Sequence, residues 1–252
     1  MNYQWSWSAF YDLSSDGIST YAHNLLCGAG WTVATALVSA FIALLVGVAV
    51  GLLRVSKNRI RQGVGAVYVE VFRDIPLLVQ IFIWYFVVPE LLPGALGTWI
   101  KSLEYGSFIT ASISIGLYTG ARVAEQTRAA ITAMPRGQQM AGLALGLTRA
   151  DVLRLIILPQ AFRLMIPPLT SELVNLVKNT SIGMTIGLVE LTARAREMQE
   201  TTFHTFEAFL AATAGYLLIN MVLIGMIRIF AIGRKSRKER VAHAMLPRDV
   251  LS

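Results

Sequence analysis

One stretch limits what this chain can fold into more than any other. Residues 31–53 are apolar and carry no charged side chain. As a helix rising ~1.5 Å per residue, such a run reaches across the ~30 Å hydrocarbon core of a bilayer. Arg54, Lys57, Arg59 and Arg61 follow at once, so the positive-inside rule puts the C-terminal end of this first span in the cytoplasm.

Composition agrees. The chain has 252 residues, 55% of them hydrophobic and 15% charged, and its mean hydropathy of +0.57 is that of a membrane protein. The net charge of +7 could suggest a nucleic-acid partner, but in such a chain it reads as arginine and lysine held on the cytoplasmic side. The lone Cys27 excludes an internal disulfide and a cysteine-only metal site, and His23, His204 and His243 have no ligand spacing. Residues 1–30 contain no Lys or Arg and so lack the basic n-region of a secretory signal.

The expected fold is all-α: a polytopic membrane protein of five transmembrane helices, N-terminus out and C-terminus in. Residues 1–30, with Tyr3, Trp5 and Trp7, read as an external segment lying on the bilayer, and residues 31–232 as the transmembrane domain. After the first span come a broken one over 63–89, kinked near Pro76, and a third over 108–131. A fourth starts near Ile166, with Pro167 and Pro168 in its first turn, and a fifth covers 206–232. Residues 233–252 form a basic cytoplasmic tail. Of the basic residues outside the spans, the external segments hold only Lys101, Arg194 and Arg196.

Between the third and fourth spans, about 133–165, lies a cytoplasmic helix-turn-helix. Leu143, Leu147, Val152, Leu153 and Ile156 give each arm an apolar side, Gly146 permits a turn with positive φ, and Pro159 interrupts helical hydrogen bonding. An exposed short helix with apolar side chains wants a groove on a partner, or else lies on lipid headgroups.

This stretch resembles the coupling loop of ABC-importer permeases, whose pattern is E-A-A-x-x-x-G-x9-I-x-L-P. Ala141, Gly146, Ile156, Leu158 and Pro159 match it, while Met140 stands for the family glutamate and Gly142 for its second alanine. VFRDIPLLVQ (71–80), PRGQ (135–138) and ILPQAFR (157–163) extend the likeness to permeases of polar-amino-acid importers. WYFVVPELLP (84–93), ARVAEQTRAAI (121–131), PPLTSELVNLVKNTSI (167–182) and TIGLVELTARA (185–195) resemble glutamate/aspartate importer permeases most.

The resemblance implies an inner-membrane permease subunit with no catalytic residues, metal or cofactor of its own. It implies two ATP-binding subunits, a second permease subunit, homologous or identical, and a periplasmic solute-binding protein. Membrane lipid surrounds the assembly, and the substrate is a small amino acid, acidic in the first reading and neutral or basic in the alternative. Ala141, Gly142, Leu145, Gly146, Ile156, Leu158 and Pro159 are the implied ATPase-coupling residues. The chain has no G-x-x-x-x-G-K-[ST] loop to hold ATP phosphates. A paired half, as in an ion-coupled secondary transporter, is not visible, nor is the acid/base set of an intramembrane enzyme.

Charged groups at membrane depth face a cavity or a partner. Tyr118, Arg122 and Glu125 share a face of the third span: Arg122 would take a substrate carboxylate and Glu125 its ammonium, or the two would pair with each other. Glu172, Asn175 and Asn179 share a face of the fourth. Lys178, Asn179, Thr180 and Ser181 are candidate pathway residues, whereas Glu172 reads as helix packing and Arg73 with Asp74 as a gate or interface pair. Gly47, Gly51, Gly116 and Gly120, in two pairs at four-residue spacing, mark close helix contact.

Overall fold

The computed structural model describes the backbone of residues 3–245 and the side chains of residues 3–229, and it is helical throughout. α1 (Tyr21–Arg54) begins well before the expected Trp31, because Thr20 caps it by accepting a hydrogen bond from the His23 amide. The boundary drawn at residue 30 therefore falls inside a helix. Ahead of α1, Tyr3 and the Ser6 amide both donate to the buried carboxylate of Glu207. Ser14 and Ser15 donate to Glu197, tying this segment to the far end of the chain.

α2 (Arg59–Asp74) is capped by Asn58, whose side chain accepts from the amides of Ile60 and Arg61. The chain then bends by 102° into α3 (Leu77–Phe82), a π-turn (Ile83–Val87) and α4 (Val88–Leu91). The break falls at Pro76, as the sequence suggests. Buried Gln80 donates to the carbonyls of Phe72 at 2.9 Å and Ile75 at 2.8 Å, satisfying acceptors on the other side of the bend. α5 (Gly94–Lys101) leads to α6 (Gly106–Thr132), the central helix.

α6 packs against α1 through the predicted glycines. A Cβ on Gly47 would stand 2.5 Å from Val123 Cβ and 2.8 Å from the Gly120 carbonyl oxygen. On Gly51 it would stand 2.5 Å from Thr127 Cβ, and on Gly116 2.7 Å from Ile42 Cβ. Contact this close replaces the hydrophobic drive that lipid removes.

α7 (Arg136–Ala144) and α8 (Arg149–Asp151) form the hairpin. A π-turn (Val152–Ile157) runs without interruption into α9 (Leu158–Asn179). Pro159 stands in the first turn of α9, directly after the π-turn; Pro167 and Pro168 lie inside the helix, not at its start as expected. Proline marks helix starts only statistically, and here another proline holds that place. A 3₁₀ turn (Thr180–Ile186), α10 (Leu191–Thr202) and α11 (Thr205–Met245) complete the chain. The side chains of the expected basic tail lie outside the described residues.

α1, the continuous stretch Arg149–Ile186 and residues Thr205–Ile229 of α11 are long and apolar enough to cross a membrane. The bent pair α2 with α3–α4 can supply a fourth crossing. α6 is less apolar than these, with Ser, Thr and Gly along its first half and Arg122, Glu125 and Arg128 in its second.

A polar seam and a docking hairpin

α6 carries charge on two sides. Arg122 Nη2 donates to the Tyr118 hydroxyl at 2.9 Å, with its guanidinium carbon 5.1 Å from the ring centre. Across the gap to α9, Arg122 Nη1 lies 3.7 Å from Glu172 Oε2, and Gln126 Nε2 donates to Glu172 Oε1 at 3.2 Å. Tyr118, Arg122 and Gln126 follow at i, i+4 and i+8 and line one seam. The Arg122 side chain is 42% exposed and that of Glu172 15%.

Glu125 does not join them. Its carboxylate is held by Arg54 from α1 and by Arg128 one turn on, at 2.5 Å. The expectation that Glu125 works with Arg122 is corrected by helix geometry: three residues bring a side chain back about 60° short of a full turn, enough to enter the neighbouring groove. A fourth residue reaches the seam, and that is Gln126. Glu172, read as a packing residue, does bridge helices, but its partners are Arg122 and Gln126.

Lys178, Asn179, Thr180 and Ser181 stand at the other end of α9, six residues or ~9 Å of helix rise from Glu172. Thr180 and Ser181 turn their hydroxyls back to the carbonyls of Val177 and Lys178, each at 2.8 Å. Lys178 is exposed and has no ion pair among the described residues, and no contact joins this group to Arg122. Arg73 and Asp74 are likewise exposed, at the bend, and form no pair with each other.

Sequence reasoning missed a fully buried acid that joins three helices. Glu190 is fully buried and caps α10 by accepting from the amides of Thr192 at 3.0 Å and Ala193 at 2.9 Å. Tyr216 of α11 donates to it at 2.5 Å and Thr32 of α1 lies 3.4 Å away, so one carboxylate ties three helices. The available signal was an acid just before a helix start. Arg54 gave none beyond its place at the end of an apolar run.

The hairpin sorts the predicted coupling residues. Gly142 is buried between the arms, where a Cβ would stand 2.8 Å from Val152 Cγ2 and 2.9 Å from Ile156 Cδ1. Gly146 makes the turn at φ +82°, with the Leu147 amide donating back to the Gly142 carbonyl at 3.2 Å. Thr148 then caps α8. Gln138 Nε2 donates to Gln160 Oε1 at 3.0 Å and clamps the arms together. Ile156 and Leu158 are half-buried in the hairpin, whereas Ala141, Leu145, Gly146 and Pro159 are exposed. With Met140 at 69% and Leu145 at 82% exposure, α7 presents an uncovered apolar face.

Residues 43–235 match the family described as binding-protein-dependent transport system inner membrane component. The glutamate/aspartate import permease protein GltJ of Escherichia coli (strain K12) is 42% identical over 242 residues, covering 94% of this chain and 97% of its own length. The glutamine transport system permease protein GlnP of the same strain is 35% identical over 185 residues, 73% of this chain and 81% of its own. A crystal structure of an amino acid ABC transporter with histidines superposes with a TM-score of 0.71 at 27% identity, covering 84% of this chain and 94% of that one.

Proposed function

The chain belongs to the family of binding-protein-dependent transport system inner membrane components, and from that premise we propose that it is the permease subunit of an ATP-driven importer of glutamate and aspartate. It is a transport component of the inner membrane, not an enzyme. The observation that carries the acidic assignment is the likeness to a glutamate/aspartate permease along nearly the whole chain. The polar seam supports it. Arg122 is half exposed, and its contact to Glu172 at 3.7 Å is longer than a hydrogen bond, so a substrate carboxylate can displace Glu172 and form the tighter pair.

The assembly has two ATP-binding subunits, a second permease subunit and a periplasmic solute-binding protein. The chain crosses the membrane five times, N-terminus out and C-terminus in, with α6 among the crossings because its charged half faces neighbouring helices. The apolar face of α7, with Met140, Ala141 and Leu145, sits in a groove of an ATPase. ATP-driven closure moves the hairpin, and the unbroken stretch from α8 to α9 carries that motion to the seam at Glu172. Lys178, Asn179, Thr180 and Ser181 border the same path nearer the other membrane face.

Uptake into proteoliposomes holding the full assembly tests this. Glutamate and aspartate are taken up in preference to glutamine and arginine. A charge-assisted hydrogen bond is worth about 1.5–3 kcal/mol, so Arg122→Ala lowers uptake about tenfold or more while ATP hydrolysis persists. Preference for glutamine, the substrate named for the second relative, would overturn the acidic assignment. In Gly146→Asp the added carboxylate enters the docking face at a positive φ that side chains resist. Uptake is lost while the chain stays in the membrane, and normal uptake would rule out the docking role.

A further inference from the structure

A cavity of about 910 Å³ opens between the α1–α2 turn and the hairpin, in the size range of a small-ligand site. Four cations line it: Lys57, Arg61, Arg136 and Arg149. They come from four places in the chain, namely the turn after α1 and the starts of α2, α7 and α8. All are exposed, none has an ion pair among the described residues, and no acid lines the cavity. Asp151, next to Arg149 in the chain, is turned away to the Thr148 hydroxyl at 2.5 Å. The neighbouring basic hollow differs in that two of its three arginines, Arg54 and Arg128, share the carboxylate of Glu125. Between the four cations the wall carries an apolar strip, with Ile131, Met134, Val152 and Ile157, beside the polar Ser56, Thr132 and Gln139.

Four unpaired cations over an apolar wall call for an anion with a hydrocarbon portion. The cavity begins at Val55, where the uncharged run of α1 ends, which places it at the level of lipid headgroups. We propose that this cavity is a binding site for an anionic phospholipid, its phosphate held by Lys57, Arg61, Arg136 and Arg149 and its upper acyl chain against the apolar wall. A lipid seated there bridges the α1–α2 turn and the hairpin, so it stiffens the element that α7 presents. The inference rests on α1 crossing the bilayer and not on the transported amino acid, so a failure of the glutamate assignment leaves it untouched.

The test uses the assembled transporter in nanodiscs of phosphatidylcholine with about one part in five phosphatidylglycerol. After extraction into detergent, native mass spectrometry counts the retained lipid. In wild type the ratio of retained phosphatidylglycerol to phosphatidylcholine is about tenfold above that of the disc. Replacing all four cations by Gln abolishes the enrichment; Lys at the three arginine positions keeps it, as does the control Arg154→Gln/Arg163→Gln. Unchanged enrichment in the four-Gln variant, or equal loss in the control, overturns the proposal. If inorganic phosphate protects Arg61 from phenylglyoxal as well as phosphatidylglycerol does, the site takes free phosphate and the lipid assignment falls. If the four-Gln variant sheds its ATPase subunits with lipid enrichment intact, the cations belong to a protein interface and the proposal is likewise overturned.

Discussion

The two sides of α6 hold their neighbours by opposite means. Toward α1, glycines let backbones touch: Gly47 meets Val123 and the Gly120 carbonyl, and Gly51 meets Thr127, leaving no room for a methyl group. Toward α9, Arg122 and Gln126 reach Glu172 across a seam that stays partly open. The first side is rigid because every ångström is filled. The second can change because its central ion pair is long and half exposed. One helix thus carries a filled contact and a partly open polar one on adjacent faces.

Substitutions can break that contrast. The largest effect is expected at Gly47→Leu, where the new Cβ falls on backbone and a branched side chain. Overpacking of this kind costs about 1–3 kcal/mol or more, so the thermal midpoint of the purified assembly drops, whereas Gly30→Ala, with nothing within 4 Å of its added Cβ, leaves it in place. Glu125→Gln comes next. It removes the charge that Arg54 and Arg128 share, and because the carboxylate is 30% exposed the loss is about 1 kcal/mol. Arg122→Ala sharpens the comparison, since its uptake collapses while stability falls by less than about 1 kcal/mol, the worth of an open pair, and the same midpoint barely moves. A large stability loss there would make the seam a scaffold like the other side.

The smallest effect is in acid. Asp16 is pulled from its ordinary 3.8 to about 2 by the Ser19 hydroxyl, then the Ser19 and Ile18 amides. A depressed carboxyl favours the folded turn above pH 3.8 and loses that contribution as pH falls toward about 2. Amide exchange in residues 14–20 rises over that window, and Asp16→Asn removes the dependence.

Much of this was legible in the chain. The glycine pairs announced the α1–α6 contact by their four-residue spacing, Pro76 announced the bend, and Gly146 the turn of the hairpin. Each is a local rule: a missing side chain, a missing amide, a positive φ. The family likeness rests on runs of such residues kept in register. What misled was also local. Arg122 and Glu125 share a helix face on paper, yet about 60° of helix rotation separates them, and Arg54, more than 70 residues away in sequence, decides which groove Glu125 enters. Pro167 and Pro168 imitated a helix start that Pro159 already filled.

The sequence by itself determined that the chain enters a membrane, that helices do so, where two of its turns fall and which family it joins, because hydrophobic length, proline and glycine act within a few residues of themselves. Only the tertiary structure decided which charges meet. An ion pair forms with whatever opposite charge packing brings within about 4 Å, and that depends on how α1, α6 and α9 pack together. The burial of Glu190 under Thr32 and Tyr216, and the four cations around one cavity, arise the same way, from distant segments that no local pattern connects.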